Sequence, residues 1–312
     1  MQSSPRRRSS ATEADRQPSA LVLRVAGRVA TVRAPEGDRE AWLPSPVPGG
    51  PAVAGDRVAI ERRDADELAV TKVLPRATVL LRGDGTARRS RPMVANADLL
   101  LVAAAVVDPP LRPRLLDRYL VAAELGGMDA AIVVTKTDLP HDASELAAVC
   151  EVYRDIGYDV LVGSAVGPVL PAEVRALIGG AVGALVGHSG VGKSTLVAAM
   201  TGQVRAVGAI SRKAGTGRHT TTDPRLLDLP GGGMVADTAG VRTFNLQRMG
   251  KGDLERGFRE IAAAAAGCRF RGCRHIGEDG CAVETRVAPS RLDSYRRLLT
   301  TSGALTRHGR PA

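Results

Sequence analysis

The stretch Gly187-His188-Ser189-Gly190-Val191-Gly192-Lys193-Ser194-Thr195 restricts the possible folds of this chain more than any other. It has the phosphate-loop spacing of Gly, four residues, then Gly-Lys-Ser/Thr. The apolar run 181–186 before it reads as a buried strand, and residues 195–200 after it read as the first turns of a helix. This context matters chemically, because loop N–H groups and a helix N-terminus together cradle phosphate oxygens. Gly190 and Gly192 let the backbone approach the ligand. Lys193 can then reach the β- and γ-phosphates and assist their transfer, and the Ser194 hydroxyl can ligate Mg²⁺. All nine residues are therefore candidate nucleotide contacts.

What surrounds this loop is an α/β pattern. Strands are expected at 98–107, 130–135, 158–163, 181–186, 225–229 and 234–237, with helices near 114–125, 143–156 and 194–200. Such alternation predicts a mostly parallel sheet with helices on both faces and a ligand at the carboxyl ends of its strands. After the second of these strands comes Thr135-Lys136-Thr137-Asp138, close to the Asn-Lys-x-Asp guanine loop, in which the Asp accepts both guanine edge protons. Ser164-Ala165 follows the third, with a backbone N–H able to support the guanine carbonyl. Asp237-Thr238-Ala239-Gly240 follows the last, with Asp237 suited to hold Mg²⁺ through water and the Gly240 N–H suited to sense the γ-phosphate. Together these loops specify GTP. An ATPase is disfavoured, since adenine offers Asp138 no donor pair.

The order is unusual, because the base loops precede the phosphate loop and Asp237 comes last. A circular permutation accounts for it, since a sheet keeps its site when old termini are joined and a new break opens elsewhere. The segment after Gly240 then runs directly into the C-terminal region. Between the phosphate loop and Asp237 lies a basic, Gly-containing segment, 211–222, suited to order on γ-phosphate and Mg²⁺. From its three threonines, Thr221 is the preferred Mg²⁺ ligand. Val241 stands where many GTPases place a water-positioning Gln. His219 is the nearest replacement, although a loop His is often only a surface hydrogen-bonding residue, and His188 is an alternative.

N-terminal to the α/β region, residues 20–82 show short β patterns separated by turn signals. They suit a small barrel, either an oligonucleotide-binding (OB) barrel or a plain barrel that stabilises its neighbour. Trp42 is expected in core or rim packing, and residues 86–92 read as a basic loop. Near the other end, Cys268, Cys273, His275 and Cys281 fall within fourteen residues, after an expected helix at 253–266 and before another at 289–299. Thiolates and imidazole suit tetrahedral Zn²⁺, and four protein ligands make one closed, structural site. Arg269, Arg271 and Arg274 between the ligands would form a basic knuckle. Cys150 is expected to be a buried core thiol.

At 312 residues the chain has room for two or three domains. Its net charge of +10 suits a polyanionic partner, while 3% aromatics leave little for base stacking, so phosphate contacts should dominate. No apolar run approaches the roughly 20 residues of a membrane helix. The polar N-terminus lacks the apolar segment of a secretory signal. A cytoplasmic, membrane-free monomer is expected.

The permuted order, the Gly-His-Ser-Gly-Val-Gly-Lys-Ser-Thr loop, the Gly217-Arg218-His219-Thr220-Thr221-Thr222 switch and the Cys-x4-Cys-x-His-x5-Cys cluster together resemble the ribosome small-subunit-dependent GTPase A (RsgA) family. Residues 1–19, rich in Ser, Arg, Gln and Pro with little apolar content, read as a flexible basic arm. The resemblance, over roughly residues 20–299, implies an OB barrel at 20–85, a circularly permuted P-loop GTPase domain at 86–248, and a zinc-binding helical domain with a tail at 249–312. It further implies a GTPase, using Mg²⁺, that acts in late maturation of the small ribosomal subunit and binds its rRNA. Carried over by position, Cys268, Cys273, His275 and Cys281 are the zinc ligands, and His219 is the catalytic switch histidine. Two positions depart from the pattern. Thr135 replaces the usual Asn, which bears on one hydrogen bond around the base, and Ala239 replaces a more frequent Pro. Two other readings stay open: a GTP-gated RNA-binding module whose hydrolysis only resets it, and a metal-delivery GTPase using the cysteine cluster.

Overall fold

The structure, a computed structural model, describes residues 19–63, 67–83, 90–202, 224–238 and 250–301. Its central sheet is organised by four strands: β8 (Leu99–Ala105), β9 (Asp129–Thr135), β11 (Val182–Gly187) and β13 (Met234–Asp237). Their side chains alternate between two cores. Leu100, Val102, Ala104, Ile132, Val134, Ala184 and Val186 pack on one face, where they meet α1 (Pro113–Gly126) and α2 (Ala143–Asp155). Leu101, Ala103, Val133, Leu185 and Val235 pack on the other, against α3 (Val169–Ile178) and α4 (Lys193–Thr201). Burial on both faces explains why these strands are continuous runs of Leu, Val and Ala rather than alternating with polar residues.

With β10 (Asp159–Val162) and β12 (Arg225–Asp228), the spatial order is β10-β9-β8-β11-β13-β12. All neighbours are parallel except β12 and β13. The phosphate-loop strand β11 thus lies between β8, the first of these six strands in sequence, and β13, the last, as the permutation requires.

The N-terminal barrel consists of β1 (Ser19–Ala26), β2 (Val29–Ala34), β3 (Gly37–Trp42), β4 (Arg57–Arg62) and β5 (Leu68–Val73). Their order β1-β2-β3-β5-β4 is closed by β1–β4 pairing, around a core of Val22, Ala30, Val32, Val58, Ile60 and Val70. Five short strands closed in this way suit an OB-type barrel. Trp42 sits half-buried at the rim beneath the Arg63 guanidinium, 4.6 Å from the ring centroid. The barrel is joined to the GTPase sheet where Arg24 of β1 pairs with Arg225 of β12. Arg33 clamps the joint with hydrogen bonds of 2.6 and 2.8 Å to the two Asp228 carboxylate oxygens.

The segment read as a basic loop differs in part. Residues Ser90–Ala95 form β7, paired with β6 (Val79–Gly83) in a separate hairpin. Its apolar side is buried by Leu80, Met93 and Val94. Pro92 is accommodated because the ladder bulges where it faces Leu81, so its missing N–H breaks no regular pair.

C-terminal to the sheet, α5 (Lys251–Gly257), α6 (Arg259–Ala265), α7 (Val283–Arg286) and α8 (Pro289–Thr301) surround the cysteine cluster. Instead of one helix over 253–266 there are two. Phe258 leaves the helical region at φ −113°, ψ 92°, and its buried ring packs edge-on against Tyr295, with centroids 5.6 Å apart. Among the described residues no helix is long and apolar enough to cross a membrane.

Candidate nucleotide site and metal centre

The phosphate loop leaves β11 at Gly187, where φ is +148° and a Cβ would lie 2.3 Å from the Ala103 carbonyl oxygen of β8. Any side chain there would separate the two strands. Gly192, at φ +88°, caps the N-terminus of α4 in a left-handed conformation that glycine adopts without steric cost. The amides of the loop and first turn thereby converge at one helix N-terminus. Ser189, Gly190 and Ser194 are exposed there, while Val191 is buried beneath them.

Lys193 is only 7% exposed, and its ammonium donates to the carbonyl oxygens of Gly187 and His188, both at 2.7 Å. An ammonium has three donors, so one is left for a phosphate oxygen. Burial pulls its pKa down to about 8, against the opposing effect of the Asp237 carboxylate. Phosphates favour the charged form, so binding above that pH must draw a proton from solution. We therefore expect GDP affinity to be flat below pH 8 and to fall by up to about tenfold per unit above it. Calorimetry in buffers of different ionisation enthalpy should register the uptake. A pH-independent affinity from 7 to 9.5 would contradict this account of the lysine.

Asp237 ends β13 and is buried, and in the parallel register it lies opposite Leu185 of the phosphate-loop strand. Thr238 fixes the chain there by donating its hydroxyl to the Leu185 carbonyl. The acidic group thus faces the phosphate loop, close enough to act on Lys193, as a Mg²⁺-holding Asp would.

The base loop reaches the same end of the sheet. Ser164 donates its hydroxyl to Asp138 at 2.5 Å, which orients the carboxylate and ties the loops after β9 and β10 together. The Gly163 N–H, 2.9 Å from the Val134 carbonyl oxygen, extends the β9–β10 ladder to this point. Ala165 is buried behind the loop, and Thr137 is half-buried. Lys136, at φ +63°, donates its ammonium to the Asp108 carbonyl after β8.

Thr135 is completely buried and points away from solvent. Its hydroxyl lies 2.6 Å from the Val191 carbonyl and 3.1 Å from that of Ala104. A hydroxyl has a single proton, so the nearer Val191 oxygen takes it. Where the sequence suggested a change around the base, this residue instead links the base loop to the phosphate loop. Gly240, His219 and Thr221 lie outside the described residues, as do Ala239 and Val241.

The second site is the cysteine cluster. Ligand atoms of Cys268, Cys273, His275 and Cys281 all lie within 4.8 Å of one another. His275 Nδ1 is 3.7 Å from Cys268 Sγ and 3.4 Å from Cys281 Sγ. A tetrahedral ion with bonds of about 2.3 Å to sulfur and 2.0 Å to nitrogen requires S···N edges of about 3.5 Å, so the donor set fits. His275 Nε2 lies 3.5 Å from a Glu255 carboxylate oxygen, in the position of an outer carboxylate that orients a ligating imidazole. Backbone geometry is held from outside by Glu278, which accepts from the N–H groups of Arg274 and Ile276, both at 2.8 Å. Cys150 is remote from these ligands, buried in the core beneath α2.

Sequence reading missed the side chains that attach this unit to the GTPase domain. Arg291 of α8 is 1% exposed and donates to Asp117 of α1 at 2.5 Å and to Glu260 of α6 at 2.7 Å. Tyr153 of α2 donates to the same Asp117 oxygen at 2.8 Å. An Arg at helical spacing in a polar sequence carries no signal of burial, and only its partners reveal it.

These features have counterparts in known proteins. Residues 73–247 match the model of the RsgA GTPase family. A small ribosomal subunit biogenesis GTPase RsgA from Azotobacter vinelandii is 38% identical over 257 residues, covering 80% of this chain and 74% of that protein. The protein of that name from Pseudomonas fluorescens is 37% identical over the same extent. Among solved structures, YloQ, a circularly permuted GTPase, superposes with a TM-score of 0.70 at 23% identity, covering 94% of this chain and 98% of its own. YjeQ from Thermotoga maritima gives 0.70 at 25% identity, covering 91% and 98%. With the loops after β9 and β10, the phosphate loop and Asp237 gathered in permuted order at the carboxyl ends of one sheet, this chain belongs to the RsgA family of circularly permuted GTPases.

Proposed function

We propose that this GTPase acts in late maturation of the small ribosomal subunit, binding the subunit's rRNA and hydrolysing GTP to GDP and phosphate when bound there. The observation that carries this reading is the joining of a guanine-nucleotide site to two appendages. The barrel is clamped to β12 through Arg33 and Asp228, and the cysteine-cluster unit follows the chain that leaves Asp237. Strand β12 follows the residues that hold the first switch, so movement there would reach the barrel directly. Support for the ribosomal partner comes from the names of the relatives and from the net charge of +10.

In this reading Asp138 and the Ser164-Ala165 loop hold guanine, and residues 187–195 hold the phosphates. Ser194, Asp237 and Thr221 would hold Mg²⁺, which would supply positive charge against the charge developing on the phosphates. Lys193 adds a positive charge at the β- and γ-phosphates, and His219 positions the attacking water. Cys268, Cys273, His275 and Cys281 hold one structural Zn²⁺. Three of these ligands are buried, which disfavours delivery of the metal to another protein. The protein would work as a monomer in the cytoplasm.

The decisive experiment compares GTP turnover by the protein alone, with isolated small ribosomal subunits, and with large subunits. Strong stimulation by small subunits only is expected. Equal rates in all three would leave the GTPase intact and remove its ribosomal partner.

A further inference from the structure

Between α1 and α8 lie two adjoining cavities of about 620 and 610 Å³, both lined by Arg114, Arg118 and Asp293. The first adds Arg112 and the N-terminal turns of both helices, neither of which has an acidic residue in its first turn. The second adds Arg296 and Arg297. Five guanidinium groups therefore face a single lining carboxylate. Arg296 is held by Glu284 and by the His275 carbonyl. Asp293 is shared between Arg114 at 3.0 Å and Arg297 at 3.1 Å. Arg112 and Arg118 have no carboxylate partner among the described residues, and the Arg118 Nε is buried without a hydrogen-bond acceptor. A buried guanidinium donor lacking an acceptor, in a groove with excess positive charge, is suited to an anion with several oxygens.

At the knuckle around the cysteine cluster, Arg269 pairs with Asp279 at 3.3 Å and Arg274 lies 3.8 Å from Glu278, so two of its three guanidinium groups have carboxylate neighbours.

We propose that the α1–α8 groove grips RNA backbone phosphates, with Arg118 as its central donor and Asp293 as an internal competitor that a phosphate displaces from Arg114 and Arg297. This rests on the ribosomal reading above and names where the full chain holds its RNA. Phosphates rather than bases are the ligand, because the lining offers guanidinium groups and no aromatic ring.

The test measures binding of the full-length protein to a fluorescein-labelled RNA hairpin by anisotropy across a salt series. Arg114→Gln with Arg118→Gln should lower affinity by about tenfold near physiological salt and flatten the log–log salt slope by about 1.5 to 2. Asp293→Asn should act the opposite way, raising affinity by about threefold or more as two guanidinium groups are released. Exposed pairs like those of Asp293 contribute little to folding, so that variant remains informative even if the double variant folds poorly. A purely structural role for these residues would leave the slope unchanged in both variants. If the unsubstituted protein binds RNA and neither variant alters affinity or slope, the groove is not the grip. If the unsubstituted protein does not bind RNA at all, the ribosomal reading fails first.

Discussion

Removing the metal from Cys268, Cys273, His275 and Cys281 is expected to unfold the C-terminal unit while leaving guanine-nucleotide binding in place. The unit's core is small: Leu254, Phe258, Ile261, Ala264, Val283, Val287, Leu292, Tyr295, Leu298 and Leu299 beside the buried Cys273 and Cys281, with Val121 contributed by α1. Two of its helices, α6 and α7, have only seven and four residues, too short to persist without tertiary support. The loop between them, 266–282, is held by the four ligands and the Glu278 turn. A structural Zn²⁺ contributes about 10 kcal/mol or more to folding in comparably small units, well above what this core can replace. Chelation or Cys273→Ser should therefore abolish one cooperative melting transition and release one equivalent of metal, measured by calorimetry and elemental analysis. The nucleotide loops stand on β9, β10, β11 and β13, so GDP affinity should change little. An unchanged melting profile after complete metal removal would show that the cluster is not what folds this unit.

Replacing Arg291 with Met should cost about 3–5 kcal/mol, although the substitution keeps much of the side-chain volume. The guanidinium is buried between Asp117 and Glu260 and lies over the Phe258 ring, 4.6 Å from its centroid. Its loss leaves the Asp117 carboxylate, 1% exposed, with the neutral hydroxyls of Tyr153 and Ser294 but without its cation. Most of the cost is that stranded charge. Adding Asp117→Asn to Arg291→Met should therefore recover part of it, and a double-mutant cycle in urea gives the coupling. Because the ion pair joins α8 to α1, the single variant should also separate unfolding of the C-terminal unit from that of the GTPase domain. A loss below about 1 kcal/mol, typical of an exposed pair, would contradict the burial.

Much of the sheet was legible because burial on both faces demands continuous apolar runs, and 98–107, 130–135, 181–186 and 234–237 contain them. Helix α3 was not among the expected elements, and its sequence carries Pro168 and Pro171. They stand at the N-cap and in the first turn, where the missing N–H has no intrahelical partner to lose. Strand β3, Gly-Asp-Arg-Glu-Ala-Trp, was hidden because only Ala41 faces the barrel core and its other positions are exposed or half-buried. The break at Phe258 falls directly after Gly257, a weak helix former that packs against Val121 with no room for a Cβ, and it lets the Phe258 ring reach Tyr295 and the Arg291 guanidinium.

The expected ligand chemistry and the permuted order were legible from residues close together in the sequence. A phosphate loop, a guanine loop and a four-ligand metal cluster each depend on donors at short spacing, and neighbouring residues set that geometry. Tertiary structure alone decided how the pieces act on one another. It turned the Thr135 hydroxyl toward Val191, brought Ser164 to Asp138, clamped Arg33 to Asp228 across 195 positions and buried Arg291 against Asp117 across 174. Such contacts have no local signature, because the energy that selects them comes from desolvating a charge or hydroxyl beside a partner that only the completed fold supplies.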